Sequence, residues 1–218
     1  MAITRINLQR ILPSIKEGAT ILVPSLRVKD AILSEYLASI NSSTILTPNI
    51  LPVDIFIKEY WEINARKAVC PCNKLQLLTS QEEFLLWNEI IEDSLNKFPL
   101  LNPKETANAV AHSYHLARQW IEPNVFTRDL SANSSITDVA AFSQWTQIFQ
   151  KKCNNLQLIN LVDAIVLFTE LLKSAKLKTF PKEITLVNFY DPPPIYQKLF
   201  NTFPNSSLIL TTEDIPKN

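Results

Sequence analysis

The chain has 218 residues, with 21 Lys plus Arg against 21 Asp plus Glu and a formal net charge of zero. No global field therefore draws it to nucleic acid or to an anionic membrane, and any such contact must be local. Average usage of about 7% would supply roughly 15 glycines, whereas the chain has one, Gly18. Loops that cradle phosphates need several, because the backbone must take positive φ and approach the ligand closely. GxGxxG and GxxxxGK[ST] are both absent, which argues against ordinary nucleotide chemistry through such loops.

In chain order, the opening MAITRINLQR lacks the apolar run of a signal peptide. The first strand signal is Ala19–Val23 (ATILV), followed by a helix over Leu26–Ile40. A second strand is expected at Thr44–Thr47, a third at Ile184–Phe189 and a fourth at Leu208–Thr211, with a helix over Pro194–Phe203 between the last two. None of the four runs alternates apolar with polar, so they read as strands of a parallel sheet covered on both faces. The last is either an edge or a central strand. Strand, helix, strand at each end of the chain reads as βαβ.

The long middle carries almost no strand signal but well-marked helix starts. Thr79-Ser80-Gln81-Glu82 and Asn102-Pro103-Lys104-Glu105 have capping-box spacing, the second with Pro at the first helical position. Ser135-Ile136-Thr137-Asp138 and Asn160-Leu161-Val162-Asp163 are weaker forms using Asp. Apolar stripes follow at Phe84, Trp87, Ile90 and Ile91, and at Phe142, Trp145, Ile148 and Phe149. Ala164 to Leu172 is apolar nearly all round and reads as the buried central helix. The expected organisation is α/β: a small parallel core from residues 1–60 and 178–218, with an all-helical insertion over 61–177.

Pro48, Pro52 and Pro192–Pro194 lie where strands are expected to end. Ligands in open parallel sheets bind at the carboxyl ends of strands, so Pro24–Lys29, Pro48–Asp54 and Asn188–Pro194 form the expected functional edge. Arg27 and Lys29 are placed to meet a phosphate at the start of the first long helix, or are ordinary surface charges. His112 and His115, spaced for one helix face, have no carboxylate or cysteine three or four residues away and read as surface histidines. Cys70, Cys72 and Cys153 are too few for a four-cysteine zinc site and form no disulfide framework, which suits a reducing compartment. With no apolar run long enough to span a membrane, a soluble, cytoplasmic chain is expected. None of the acidic residues has Lys two positions later, and there is no D-x-D or E-x-E. The converging carboxylates of a two-metal nuclease are thus missing. No G-x-S-x-G elbow occurs either. No catalytic, cofactor-binding or metal-binding residue is assigned.

Four segments carry a family resemblance. Thr47, Pro48, Leu51, Pro52, Asp54, Ile57 and Trp61 fit T-P-x-x-L-P-x-D-x-x-[IL]-x-x-x-W. Glu82, Leu85, Leu86 and Trp87 fit E-x-x-L-L-W, and Asn102, Pro103, Thr106, Ala107 and Ala111 fit a helix opening N-P-x-x-[TA]-A. Leu186, Val187 and Phe189 fit a returning strand of the type L-V-G-F. In this order they resemble the N-terminal part of the bacterial "probable DNA repair proteins", relatives of the AddB subunit of helicase–nucleases with a RecB-type nuclease domain. The resemblance implies a sheet of P-loop, helicase-like type. Two departures stand out. Pro24-Ser25-Leu26-Arg27-Val28-Lys29 replaces the basic segment in which active helicases hold their ATP-binding lysine. Tyr190-Asp191-Pro192 replaces their Asp-Glu pair, leaving Asp191 as a lone acidic position. The resemblance therefore implies a helicase-like module without helicase chemistry, contacting DNA weakly or docking on a nuclease domain or partner subunit. The other expectation is a protein–protein interaction domain with no nucleic-acid role.

Overall fold

The computed structural model describes residues 7–40, 47–67, 70–99, 102–121, 137–177 and 179–209. They form a mixed α/β structure, mostly helical, with a small parallel sheet of four strands.

The chain enters through a 3₁₀ turn and a short helix, α1 (Leu12–Lys16), then bends into β1 (Thr20–Val23). The bend uses the sole glycine. Gly18 sits at φ +73°, its N–H donating to Ile15 O while Ala19 N–H reaches Ser14 O, the paired bonds of a Schellman stop. From β1 the chain enters α2 (Leu26–Ala38) and returns as β2 (Ile50–Pro52). Pro52 closes that strand and is also the N-cap of α3 (Val53–Ala65), so no loop separates the two.

The middle comprises a 3₁₀ turn (Pro71–Lys74), β3 (Gln76–Leu77), α4 (Ser80–Asp93), α5 (Pro103–Trp120), α6 (Thr137–Leu156), β4 (Leu158–Ile159) and α7 (Leu161–Lys173). The full reciprocal capping box forms at Thr79 and Glu82, and Asn102 and Asn160 accept from the third helical N–H of α5 and α7. The expected cap at Ser135 lies outside the described residues. The chain then forms β5 (Ile184–Val187), α8 (Pro194–Phe200) and β6 (Ser206–Ile209).

The sheet order is β2-β1-β5-β6, every pair parallel, with Ile21 opposite Ile50, Leu22 opposite Leu186 and Leu186 opposite Leu208. All four residues of β1 and of β5 are buried, as doubly covered strands require. Successive side chains still go to opposite faces. Ile21, Val23, Ile50 and Val187 meet Ile11 and Ile32 under α1 and α2. On the other face, Leu22, Ile184 and Leu186 meet Phe56, Leu199 and Phe203, and this core runs on without a break into the helices of the middle. There Trp87 stacks on Phe149, ring centroids 4.0 Å apart, with Tyr114 edge-on at 5.5 Å to the same phenyl.

Several expectations are corrected. The second strand is Ile50–Pro52; of the run expected there, Thr47 is not in a strand and residues 44–46 lie outside the described residues. The three residues that pair with β1 do so because Asn49 O accepts the N–H of Ile21 and the following proline ends the ladder. The middle also holds strands: β3 and β4 form a separate parallel pair, each only two residues long, too short to leave a periodic signal. The last strand is Ser206–Ile209, an edge with no outer neighbour among the described residues, and Leu208 is 57% exposed. Finally, Cys70 and Cys72 are joined by a disulfide across the 3₁₀ turn, their Cα atoms 5.2 Å apart. The turn brings together two thiols that an odd count had left unpaired, and the inference of a reducing compartment loses its basis. Among the described residues no helix is long and apolar enough to cross a membrane.

With one glycine, the chain places other residues in the left-handed region: Gln157, Ala175, Asn188 and Asn205. Ala175, at φ 51°, ends α7 in a second Schellman stop, donating to Leu172 O while Lys176 N–H reaches Leu171 O. A Cβ there costs about 1 kcal/mol, part of which glycine's greater unfolded-state entropy would return. Ala175→Gly should raise the urea midpoint by about 0.5 kcal/mol of stability. An unchanged or lower midpoint would show that the turn carries no strain.

Candidate functional site at the carboxyl edge of the sheet

β1 leads through α2 to β2 on one side, and β5 leads through α8 to β6 on the other. The strand order thus reverses between β1 and β5, and a crevice opens at their carboxyl ends. It is a cleft of about 350 Å³ lined by Pro24 after β1, by Asp54 in the first turn of α3, and by Asn188, Tyr190, Asp191 and Tyr196 after β5. Asn188 makes the cleft possible by turning in the left-handed region at φ 61°, directly after the last residue of β5. Phe189 goes back into the core, and Tyr190 and Asp191 are turned out to solvent. Three prolines then carry the chain into α8.

Inside the cleft the Tyr196 hydroxyl donates to Asp54 Oδ1 at 2.7 Å, joining two elements 142 residues apart. Burial first, and the Asp54 charge second, push the Tyr196 phenol far above its ordinary value, so Tyr196 acts as a fixed donor. Tyr190 OH lies 3.4 Å from Asn188 Oδ1. The lining holds two carboxyl side chains, Asp54 and Asp191, and no Lys or Arg joins them there among the described residues.

Arg27 and Lys29 stand on the first two turns of α2, Arg27 exposed and Lys29 half-buried. The expected functional edge thus separates into two parts, because neither cation lines the cleft that holds Asp191. The N-cap of α2, Ser25, makes no side-chain cap, and the first turn has no acidic residue. Its cations oppose the helix dipole, which favours negative charge there.

A second polar group lies among α4, α5 and α7. Asp163, in the first turn of α7, accepts Tyr114 OH at 2.8 Å and Arg118 Nε at 2.8 Å, while its own N–H is capped by Asn160. Burial and then Asp163 drive the Tyr114 phenol far upward. One turn away, His115 Nε2 is 2.8 Å from Glu83 Oε1, on which Trp87 Nε1 also converges at 3.4 Å. The sequence reading of His115 as a surface histidine is therefore corrected: its side chain is 31% exposed and its partner comes from the neighbouring helix of the α4–α5 hairpin. His112 is exposed as expected. The thiol of Cys153 is pushed up to about 12, chiefly by burial and then by Asp163 and Glu83, which leaves it unreactive. Among the described residues no three metal-ligating side chains converge.

Sequence reasoning missed Glu83, Tyr114, Asp163 and Tyr196. Asp54 was visible only as the end of the expected functional edge and a motif position, and Asp163 only as part of a helix cap, with nothing to indicate which hydroxyl or guanidinium would reach them. No protein-family model matches the chain, and no curated protein matches it.

Burial lowers the affinity of His115 for its proton, but the hydrogen bond and charge of Glu83, helped by Asp163 and Asp54, outweigh it, and the net shift is upward from 6.5. A histidine raised on folding contributes stability that is complete below 6.5 and is lost as pH rises through the higher folded value. Urea midpoints taken across that interval should fall with rising pH in the wild type and stay flatter in His115→Gln and Glu83→Gln. Parallel profiles for all three proteins would show that the pair does not titrate with folding.

Proposed function

We propose that this chain is a catalytically silent, helicase-like module of a bacterial DNA repair or recombination nuclease, related to the AddB-type proteins it resembles. Its sheet is of P-loop type without the P-loop's chemistry, and it acts through contacts with DNA or with a partner subunit. The observation that carries the reading is the cleft at the reversal of strand order, on the edge where parallel sheets place their ligands. What surrounds that cleft suits surface contact better than phosphoryl transfer. The β1–α2 turn is Pro24-Ser25 in place of a glycine-rich cradle, and Asp191 stands as a single carboxylate after β5. Phosphoryl transfer needs a cradle, a lysine and a metal-holding pair together.

DNA contact falls to Arg27 and Lys29. They flank the uncapped first turn of α2, where backbone N–H groups and side-chain charge favour the same anion. With a neutral chain and two cations, binding is weak and its salt dependence shallow. The slope of log affinity against log salt is about 0.9 per phosphate neutralised on duplex DNA.

Fluorescence anisotropy with a labelled oligonucleotide tests this. Binding should weaken as salt rises, with a slope of about two, and Arg27→Ala/Lys29→Ala should remove most of it. A double variant that binds as tightly as wild type would take both residues out of the interface. Calorimetry with Mg-ATP should give no micromolar binding, which would need about −8 kcal/mol and hence extensive phosphate contacts. A micromolar Kd would overturn the silent assignment.

A further inference from the structure

The edge cleft carries charge of one sign on a chain whose overall charge is zero. Asp54 is half-buried and accepts the Tyr196 hydroxyl, a neutral donor that orients the carboxylate without cancelling its charge. Asp191 stands exposed on the turn between β5 and α8 and pairs with no cation among the described residues. The cations of the neighbouring helices are already engaged. Arg118 belongs to Asp163, and His115, which feels the Asp54 charge from α5, is bound to Glu83 at 2.8 Å. Two carboxylates are therefore left uncompensated. The walls around them are largely apolar, with Val53, Pro192 and Pro193 in the lining. Tyr190, next in the chain to Asp191, is 55% exposed.

Apolar walls and uncompensated carboxylates complement a side chain with a long apolar stem and a cationic head. Arginine fits best. Its planar fork meets a carboxylate bidentately, its face lies against apolar or aromatic surface, and it is more weakly hydrated than an ammonium. Arginine is also enriched among the residues that dominate binding energy at protein interfaces. We propose that the edge cleft docks an arginine of a partner protein, its stem along the proline walls and its guanidinium paired with Asp191 in the field of Asp54. The cavity of about 350 Å³ suits one or two side chains, and the exposed rim at Asp191 lets the partner's chain run on outside it. Nucleic acid fits less well. The two carboxylates repel its phosphates, and Arg27 and Lys29, which suit phosphate, lie outside the lining. The inference rests on the reading of this edge as a contact site and deepens its partner half, without needing the DNA half.

Selection of random peptides displayed on phage against the whole chain tests it. Anisotropy follows with a labelled enriched peptide, with versions carrying lysine or alanine for its arginine, and with labelled oligothymidylate. The enriched peptides should share an arginine, and replacing it by lysine should weaken binding and by alanine remove most of it. Peptide affinity should fall at least about tenfold in Asp191→Lys, a loss of about 1.4 kcal/mol, and by a smaller factor in Asp191→Asn. It should be unchanged in Arg27→Ala/Lys29→Ala. Asp191 is exposed, so its variants should keep the wild-type thermal midpoint, whereas Asp54→Asn would also weaken the acceptor of Tyr196. No enrichment, peptides without a shared arginine, or equal binding by Asp191→Lys would overturn the proposal. So would oligothymidylate that displaces the peptide. Peptide failure beside salt-sensitive oligonucleotide binding through Arg27 and Lys29 would remove the arginine site alone, and failure of both would remove the contact-module reading as well.

Discussion

A parallel sheet this small survives only if both faces are covered, and that requirement organises the rest of the molecule. β1 and β5 have no solvent-facing side chain at all. Their pleat sends Ile21, Val23 and Val187 to one helical layer and Leu22, Ile184 and Leu186 to the other. The first layer is small and local, supplied by α1 and α2. The second is extensive, and the helices of the middle are continuous with it. Those helices do not hang from the sheet as a separate body, since Leu22 and Leu186 share one apolar core with Trp87, Phe149 and Phe168.

Joining a sheet to a helical bundle through one core leaves polar side chains between them. Several of these are met by a partner from another element: Tyr196 by Asp54, Tyr114 and Arg118 by Asp163, His115 by Glu83. Buried polar groups left unpaired cost more than paired ones return, so these contacts select the relative placement of the elements more than they add stability. Asp163 is the hub, since the same carboxylate that holds α5 to α7 belongs to the first turn that Asn160 caps. The edge cleft inherits this rigidity through Tyr196 and Asp54.

Local chemistry was legible wherever one residue type settles one backbone problem. The Thr79–Glu82 box and the Asn102-Pro103 and Asn160 caps all stand where the sequence places them. So do the cores of β1 and β5 and the apolar stripes of α4 and α6. The errors share a physical origin. β2 is displaced from its expected run, β3 and β4 are two residues each, and β6 begins two residues before its expected start. Strands this short have no internal hydrogen bonds and exist because a neighbour offers a ladder, so their position depends on that neighbour more than on their own residues.

The amino-acid sequence by itself determined an α/β chain, its principal helix starts, its doubly buried strands and the lack of a phosphate cradle. These follow from side-chain periodicity and from backbone rules that act within a few residues. Only the tertiary structure decided that Asp191 and Asp54 share a cleft from which Arg27 and Lys29 are absent, that Tyr196 donates to Asp54, and that His115 answers to Glu83. Those pairings cross 32 to 142 residues of chain. Such contacts arise from how whole elements pack on one another, which local residue patterns do not encode.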